Sequence, residues 1–95
     1  MKFEWDEEKN NINLIKHGIT FKEAETVFDD ENAIVIYDED HSADEERFII
    51  IGIDLHYREL TVCHCCRGND DDIIRLISAR KATRIESDLY RRGWV

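Results

Sequence analysis

Proline is absent from the 95 residues, which excludes Pro-rich linkers and polyproline tracts. Cysteine is scarce and clustered: Cys63, Cys65 and Cys66 are all there is. An odd count without a distant partner argues against a disulfide framework. No apolar stretch approaches the ~18 residues that a bilayer span requires; Phe48-Ile49-Ile50-Ile51 is among the longest. The opening MKFEWDEEKNN turns acidic at once and has no apolar h-region, so no secretory signal is expected and a cytoplasmic location is. Internal repeats are lacking, and low complexity is confined to short acidic runs.

Positive charge is in short supply, and unevenly so. The net charge is −9. Residues 1–46 carry only Lys2, Lys9, Lys16 and Lys22 against a dense set of acids, whereas residues from Arg75 onward are net basic. An acidic whole argues against strong nonspecific nucleic-acid binding, which scales with the phosphates neutralised. The asymmetry leaves room for a small basic site near the C-terminus. Hydrophobic residues make up 42% of the chain, enough for one thin core, so a single domain over 1–95 is expected.

Lys2-Phe3-Glu4-Trp5 alternates as a short strand does. Asp6 is placed to cap a helix over about 7–17 with Ile12 and Ile15 as its apolar face, and Gly18 to stop it. Thr20 and Glu23 form a capping box. The helix that follows carries Phe21, Ala24, Val27 and Phe28 at helical spacing and ends near Asp29-Asp30. Residues 33–37 form a β-rich run, and 38–46 an acidic loop. Strands are expected over 47–54, 60–66 and 73–77, joined by short turns as an antiparallel meander. Ser78 is read as the cap of a last helix over about 79–92, with Ala82, Ile85 and Leu89 inward and Gly93 as stop. The order is β-α-α-β-β-β-β-α, an α+β fold: an antiparallel sheet of about four to five strands, with two N-terminal helices and one C-terminal helix packed on it.

Cys63-His64-Cys65-Cys66 invites a zinc reading. On a strand, however, Cys63 and Cys65 point one way and His64 and Cys66 the other. Reduced, buried, small hydrophobes are the better reading, and no metal or other cofactor is expected. His41 with Asp38, Asp40 and Asp44 lacks the framework of a calcium loop. Lys16 and His17 place a cation and a near-neutral titrating group at a helix end, where such residues also sit for purely structural reasons. Arg67, Arg75, Arg80, Lys81 and Arg84 form a basic set. Arg75 lies between Ile73 and Ile77 on a face expected to look inward, and Arg80 and Arg84 are expected on one helical face. Arginine forks suit phosphate oxygens; the structural alternative is ion pairing, for example of Arg75 or Arg80 with Glu86.

Several of these residues form a recognisable pattern. Phe3-x-Trp5-Asp6, Lys9, Asn13, Lys16-His17-Gly18-Ile19-x-Phe21-x-Glu23-Ala24 and Val27-Phe28-x-Asp30 open it. Glu46-Arg47-Phe48, Ile51-Gly52, Leu60-x-Val62, Arg67, Ile73 with Arg75-x-Ile77-Ser78-Ala79-Arg80-Lys81-Ala82, Glu86 and Tyr90 complete it. Over nearly its whole length the chain resembles the BrnT family. The resemblance implies a RelE-like α+β fold and the toxin of a bacterial type II toxin–antitoxin pair, an RNA endonuclease that arrests growth and translation. It implies a BrnA-like antitoxin as partner, RNA as substrate, and operator DNA bound only through the antitoxin. Such a cleavage needs no metal when the ribose 2′-hydroxyl attacks the adjacent phosphorus, because a base, an acid and a charge stabiliser suffice. Arg67, Arg75 and Arg80 are then expected to bind the phosphate, with Lys16, His17, Glu86 or Tyr90 handling protons. The alternative is a catalytically silent module that serves only as antitoxin partner and co-repressor.

Overall fold

A computed structural model describes residues 1–93; Trp94 and Val95, the end of the expected 1–95 domain, lie outside the described residues. The elements are β1 (Lys2–Glu4), α1 (Glu7–His17), α2 (Phe21–Glu25) continued by a 3-10 turn (Thr26–Asp29), β2 (Ile34–Tyr37), a second 3-10 turn (Glu39–His41), β3 (Phe48–Ile53), β4 (Glu59–Arg67), β5 (Ile73–Lys81) and α3 (Arg84–Arg92). This is an α+β fold in the expected order. The sheet runs β1-β5-β4-β3-β2. β2 to β5 are antiparallel neighbours, and β1 closes the far edge parallel to β5.

The caps act as the sequence suggests. Asp6 accepts from the amides of Glu8 and Lys9, and Gly18 ends α1 at φ 70°, where a side chain would be strained. Thr20 and Glu23 form a reciprocal capping box. Ile19, Phe21, Ala24 and Val27 then pack on Ile50, Leu60, Val62, Ile74, Leu76 and Ala79 of the sheet, with Phe3, Trp5 and Phe28 at the margin. Each fully buried large side chain in this layer contributes about 1.5–3 kcal/mol.

Three expectations are corrected. Ile12 and Ile15 are not the buried face of α1: they are 55% and 86% exposed, and Asn13 is buried instead. The Asn13 amide takes the place of a strand neighbour for β5, donating to the Ala79 carbonyl and accepting from the Ala79 amide. β1 covers β5 only at Ile73–Arg75, so this pairing satisfies edge groups that β1 leaves free. The last helix starts at Arg84, not at 79. Residues 78–81 stay in β5, opposite Leu60–Cys63 of β4, and the cap is Thr83, in a second capping box with Glu86. Ser78 therefore caps nothing, and Arg80 and Arg84 do not share a helical face. Ile85 points to solvent, 73% exposed, because α3 meets β4 through Glu86 and Ser87 and reaches Asp30 through Tyr90.

Candidate functional site

The site is built by a β-bulge. In the β4–β5 ladder Cys63 pairs with Ser78 but His64 pairs with Leu76, so Ile77 is an extra residue in β5. The extra residue inverts the alternation of faces. Ile74 and Leu76 point into the core before it and Ala79 after it. Arg75 and Arg80 are five apart and would point to opposite faces of a regular strand. Here they pair with Cys65 and Thr61 and lie on the same face. Arg75 is thus not on the core side, which corrects the inward placement expected for it. Arg67, two residues beyond Cys65, shares that face, as does Arg47, just ahead of Phe48 in β3.

α3 covers one end of this second face. Glu86 is the anchor. Arg80 grips its carboxylate with both nitrogens, at 2.6 and 2.9 Å. The Thr61 hydroxyl and the Thr83 amide donate to it at 2.9 and 2.8 Å. Burial alone would raise the carboxyl, but Arg80, the Thr83 amide and Thr61 together hold it down at about 2. Tyr90 donates to Asp30 at 2.6 Å, and burial together with that bond pushes its phenol up to about 12. At neutral pH Glu86 stays a carboxylate and Tyr90 a phenol. Both therefore suit holding α3 and Arg80 in place better than moving a proton.

Beyond α3 the face opens into a groove of about 220 Å³, floored by Ile49 and Ile77 and walled by Asp38, His41, Arg47, Thr61, Cys63 and Arg80. The acidic loop forms its rim. The Asp38 amide donates to the Arg47 carbonyl, and the Ser42 hydroxyl links Asp38 and Arg47 through their backbones. This closure keeps Asp38, His41 and Arg47 together. The Nε of Arg47 is buried and meets no acceptor among the described residues. An unsatisfied buried donor costs about 1–3 kcal/mol, and among the described residues no carboxylate pairs with Arg47, so the rest of its guanidinium is open to an anion in the groove. The other arginines of the face are partnered: Arg67 with Glu45 at 3.0 Å, Arg75 with Glu4 at 2.8 Å, and Arg80 with Glu86. Burial raises the Cys63 thiol, so it enters the groove protonated.

The structure thus brings Arg80 and Glu86 together at one end of the face and sets Arg67 and Arg75 further along it. Tyr90 stands behind, on Asp30. Lys16 is exposed and His17 half-buried at the end of α1, and neither bonds to a groove residue among the described residues. His64 is buried against Phe28 and Phe48 on the helix-covered face, so it does not meet Cys63 at one site. Cys65 is buried as expected of a small hydrophobe, whereas Cys66 is exposed. Among the groove residues, residue-by-residue reading passed over Arg47, and weighed Asp38 and His41 only as calcium ligands. The signal available for Arg47 was its place in the Glu46-Arg47-Phe48 stretch.

Fold and face define a small α+β protein with an arginine-lined sheet surface, suited to a phosphate-bearing ligand. The sequence profile of a family described as "Ribonuclease toxin, BrnT, of type II toxin-antitoxin system" matches residues 5–86, and the chain belongs to that family. It is also similar to the crystal structure of the Brucella abortus ribonuclease toxin BrnT, at 29% identity and a TM-score of 0.67, over 88% of this chain and 99% of that one. A search of curated proteins returned no significant match. Among the described residues no helix is long and apolar enough to cross a membrane.

Proposed function

We propose that the chain is a metal-independent RNA endonuclease which arrests translation and growth in the cytoplasm until a BrnA-like antitoxin binds it. The observation that carries this reading is Arg47, which has no ion-pair partner among the described residues and lines a groove that also holds Arg80. A scissile phosphodiester in the groove supplies the Arg47 guanidinium with an anionic partner. Arg80, fixed by Glu86, then stabilises the charge that develops on the phosphorane oxygens. Arg75 and Arg67 lie along the path of the flanking phosphates, and Lys16 reaches RNA beyond the edge of β5. His17 sits beside it as a further contact, while Glu86 and Tyr90 act as positioning residues.

The net charge of −9 suits a basic antitoxin segment wrapped over the acidic half. Operator DNA is then contacted through the antitoxin rather than by this surface. One observation favours the silent-module alternative: carboxylates already neutralise Arg67, Arg75 and Arg80. Induced expression with and without the antitoxin separates the two. The nuclease reading expects growth arrest and RNA cleavage that the antitoxin relieves and that Arg47→Ala abolishes without loss of complex formation. Normal growth with folded, antitoxin-binding protein favours the silent module.

A further inference from the structure

The groove needs a group that takes a proton near neutral pH. Glu86 and Tyr90 are held in one form each, and Cys63 is held as a thiol by burial. His41 remains, and its imidazole carries a nitrogen lone pair that can accept a proton. Its Nδ1 lies 3.1 and 3.0 Å from the two carboxylate oxygens of Asp38. A proton on Nδ1 donated to Asp38 leaves the Nε2 lone pair free. The 3-10 turn Glu39–His41 and the Ser42 link to Arg47 set this imidazole at the rim of the groove that holds the unpaired Arg47 Nε.

We infer that His41, oriented by Asp38, is the general base of RNA cleavage in this groove. The inference rests on the ribonuclease reading above. Nε2 takes the proton of the ribose 2′-hydroxyl. The 2′-oxygen forms a bond to phosphorus, and the bond from phosphorus to the 5′-oxygen breaks. The leaving 5′-oxygen takes a proton from solvent water, and His41 returns its own to solvent. The products are a 2′,3′-cyclic phosphate and a 5′-hydroxyl end, with no oxidant, reductant or further reactant. Asp38 is a positioning residue in this scheme, with the role that the third member plays in a nucleophile–histidine–carboxylate triad.

The test is single-turnover cleavage of an RNA oligonucleotide by the purified full-length chain, followed from acid to neutral pH. The charged and titratable groups facing His41 are Asp38, Arg47, Cys63 and Arg80 in the groove and Asp44 and Glu45 on its own loop. His41→Gln is expected to slow cleavage about 10²–10³-fold and to remove the acid limb of the profile, with RNA affinity and melting temperature unchanged. Asp38→Asn is expected to slow cleavage less and to keep the limb. Cleavage by His41→Gln at the wild-type rate, or a slowed reaction that keeps the limb, overturns the assignment while leaving the ribonuclease reading intact. Wild-type protein that leaves the RNA whole overturns that reading and this inference together.

Discussion

The lack of a carboxylate partner among the described residues, with a buried Nε left unsatisfied, separates Arg47 from the other arginines of the open face. Arg47→Ala removes no ion pair, so its melting temperature is expected to stay near wild type while RNA cleavage falls about 100-fold. Arg80→Ala is expected to lose both. It leaves the Glu86 carboxylate half-buried without its fork, and breaking a buried pair costs about 3–5 kcal/mol, less here because Arg80 is partly exposed. Denaturant midpoints of the two variants check this contrast. Glu86 also sets an acid dependence. Its carboxyl lies at about 2 in the folded chain against an ordinary 4.5. A depressed carboxyl stabilises the fold above 4.5, and that contribution drains away as pH falls from 4.5 toward 2. Glu86→Gln is expected to flatten stability over this window in urea titrations, and an unchanged slope would contradict the assignment. The arginines themselves were legible in the sequence as a basic set, with phosphate contact and ion pairing as the two readings. The unpaired one was not, because its isolation arises from Ser42 and Asp38 folding back on its backbone.

At the scale of elements, the bulge at Ile77 decides where the arginines go. Read with regular alternation, Arg75 falls on the face of Ile73 and Ile77, and Arg80 falls opposite it or on a helix. No local residue type announces that β5 continues to Lys81 with one extra residue; the pairing of Leu60–Cys63 with residues 78–81 enforces it. The capping box Thr83/Glu86 was present in the sequence and marks the true start of α3. Other boundaries were legible from local chemistry: Asp6, the Thr20/Glu23 box, Gly18 and Gly93 all act where their types suggest. Asn13 illustrates the opposite case, a polar residue on the buried side of a helix where Ile12 and Ile15 were the natural candidates. Asn13→Ala leaves the Ala79 amide and carbonyl and the Ile19 carbonyl without this partner, and is expected to cost about 2–4 kcal/mol. Equilibrium unfolding measures it, and a loss below about 1 kcal/mol would contradict the edge-pairing role. Gly52→Ala is expected to destabilise as well, since a Cβ there meets Ala33, Asp30 and Val27 at 3.0 Å each.

At the scale of the whole molecule, charge and topology divide the labour. The acidic first half supplies α1, α2 and the groove rim, and the later strands supply the arginines. The order of elements and the α+β class were legible because hydrophobic periods and turn residues encode them locally. The parallel return of β1 to β5 was not, because it is a contact across the full chain length. The arginine face is small within an acidic protein, so RNA binding is expected to be weak and only moderately salt-dependent. With three or four phosphates contacted, log affinity should fall against log salt with a slope of about −2 to −3. A slope near zero in fluorescence anisotropy titrations would contradict phosphate recognition by this face.

The groove around Arg47 is proposed to cut RNA. The most direct measurement is cleavage of a labelled RNA by the purified full chain, compared with Arg47→Ala and with the antitoxin complex. Cleavage by the wild type without antitoxin, with the variant folded and antitoxin-competent but about 100-fold slower, is the predicted result. A folded wild type that leaves RNA whole, or a variant that cleaves as fast as wild type, would contradict it.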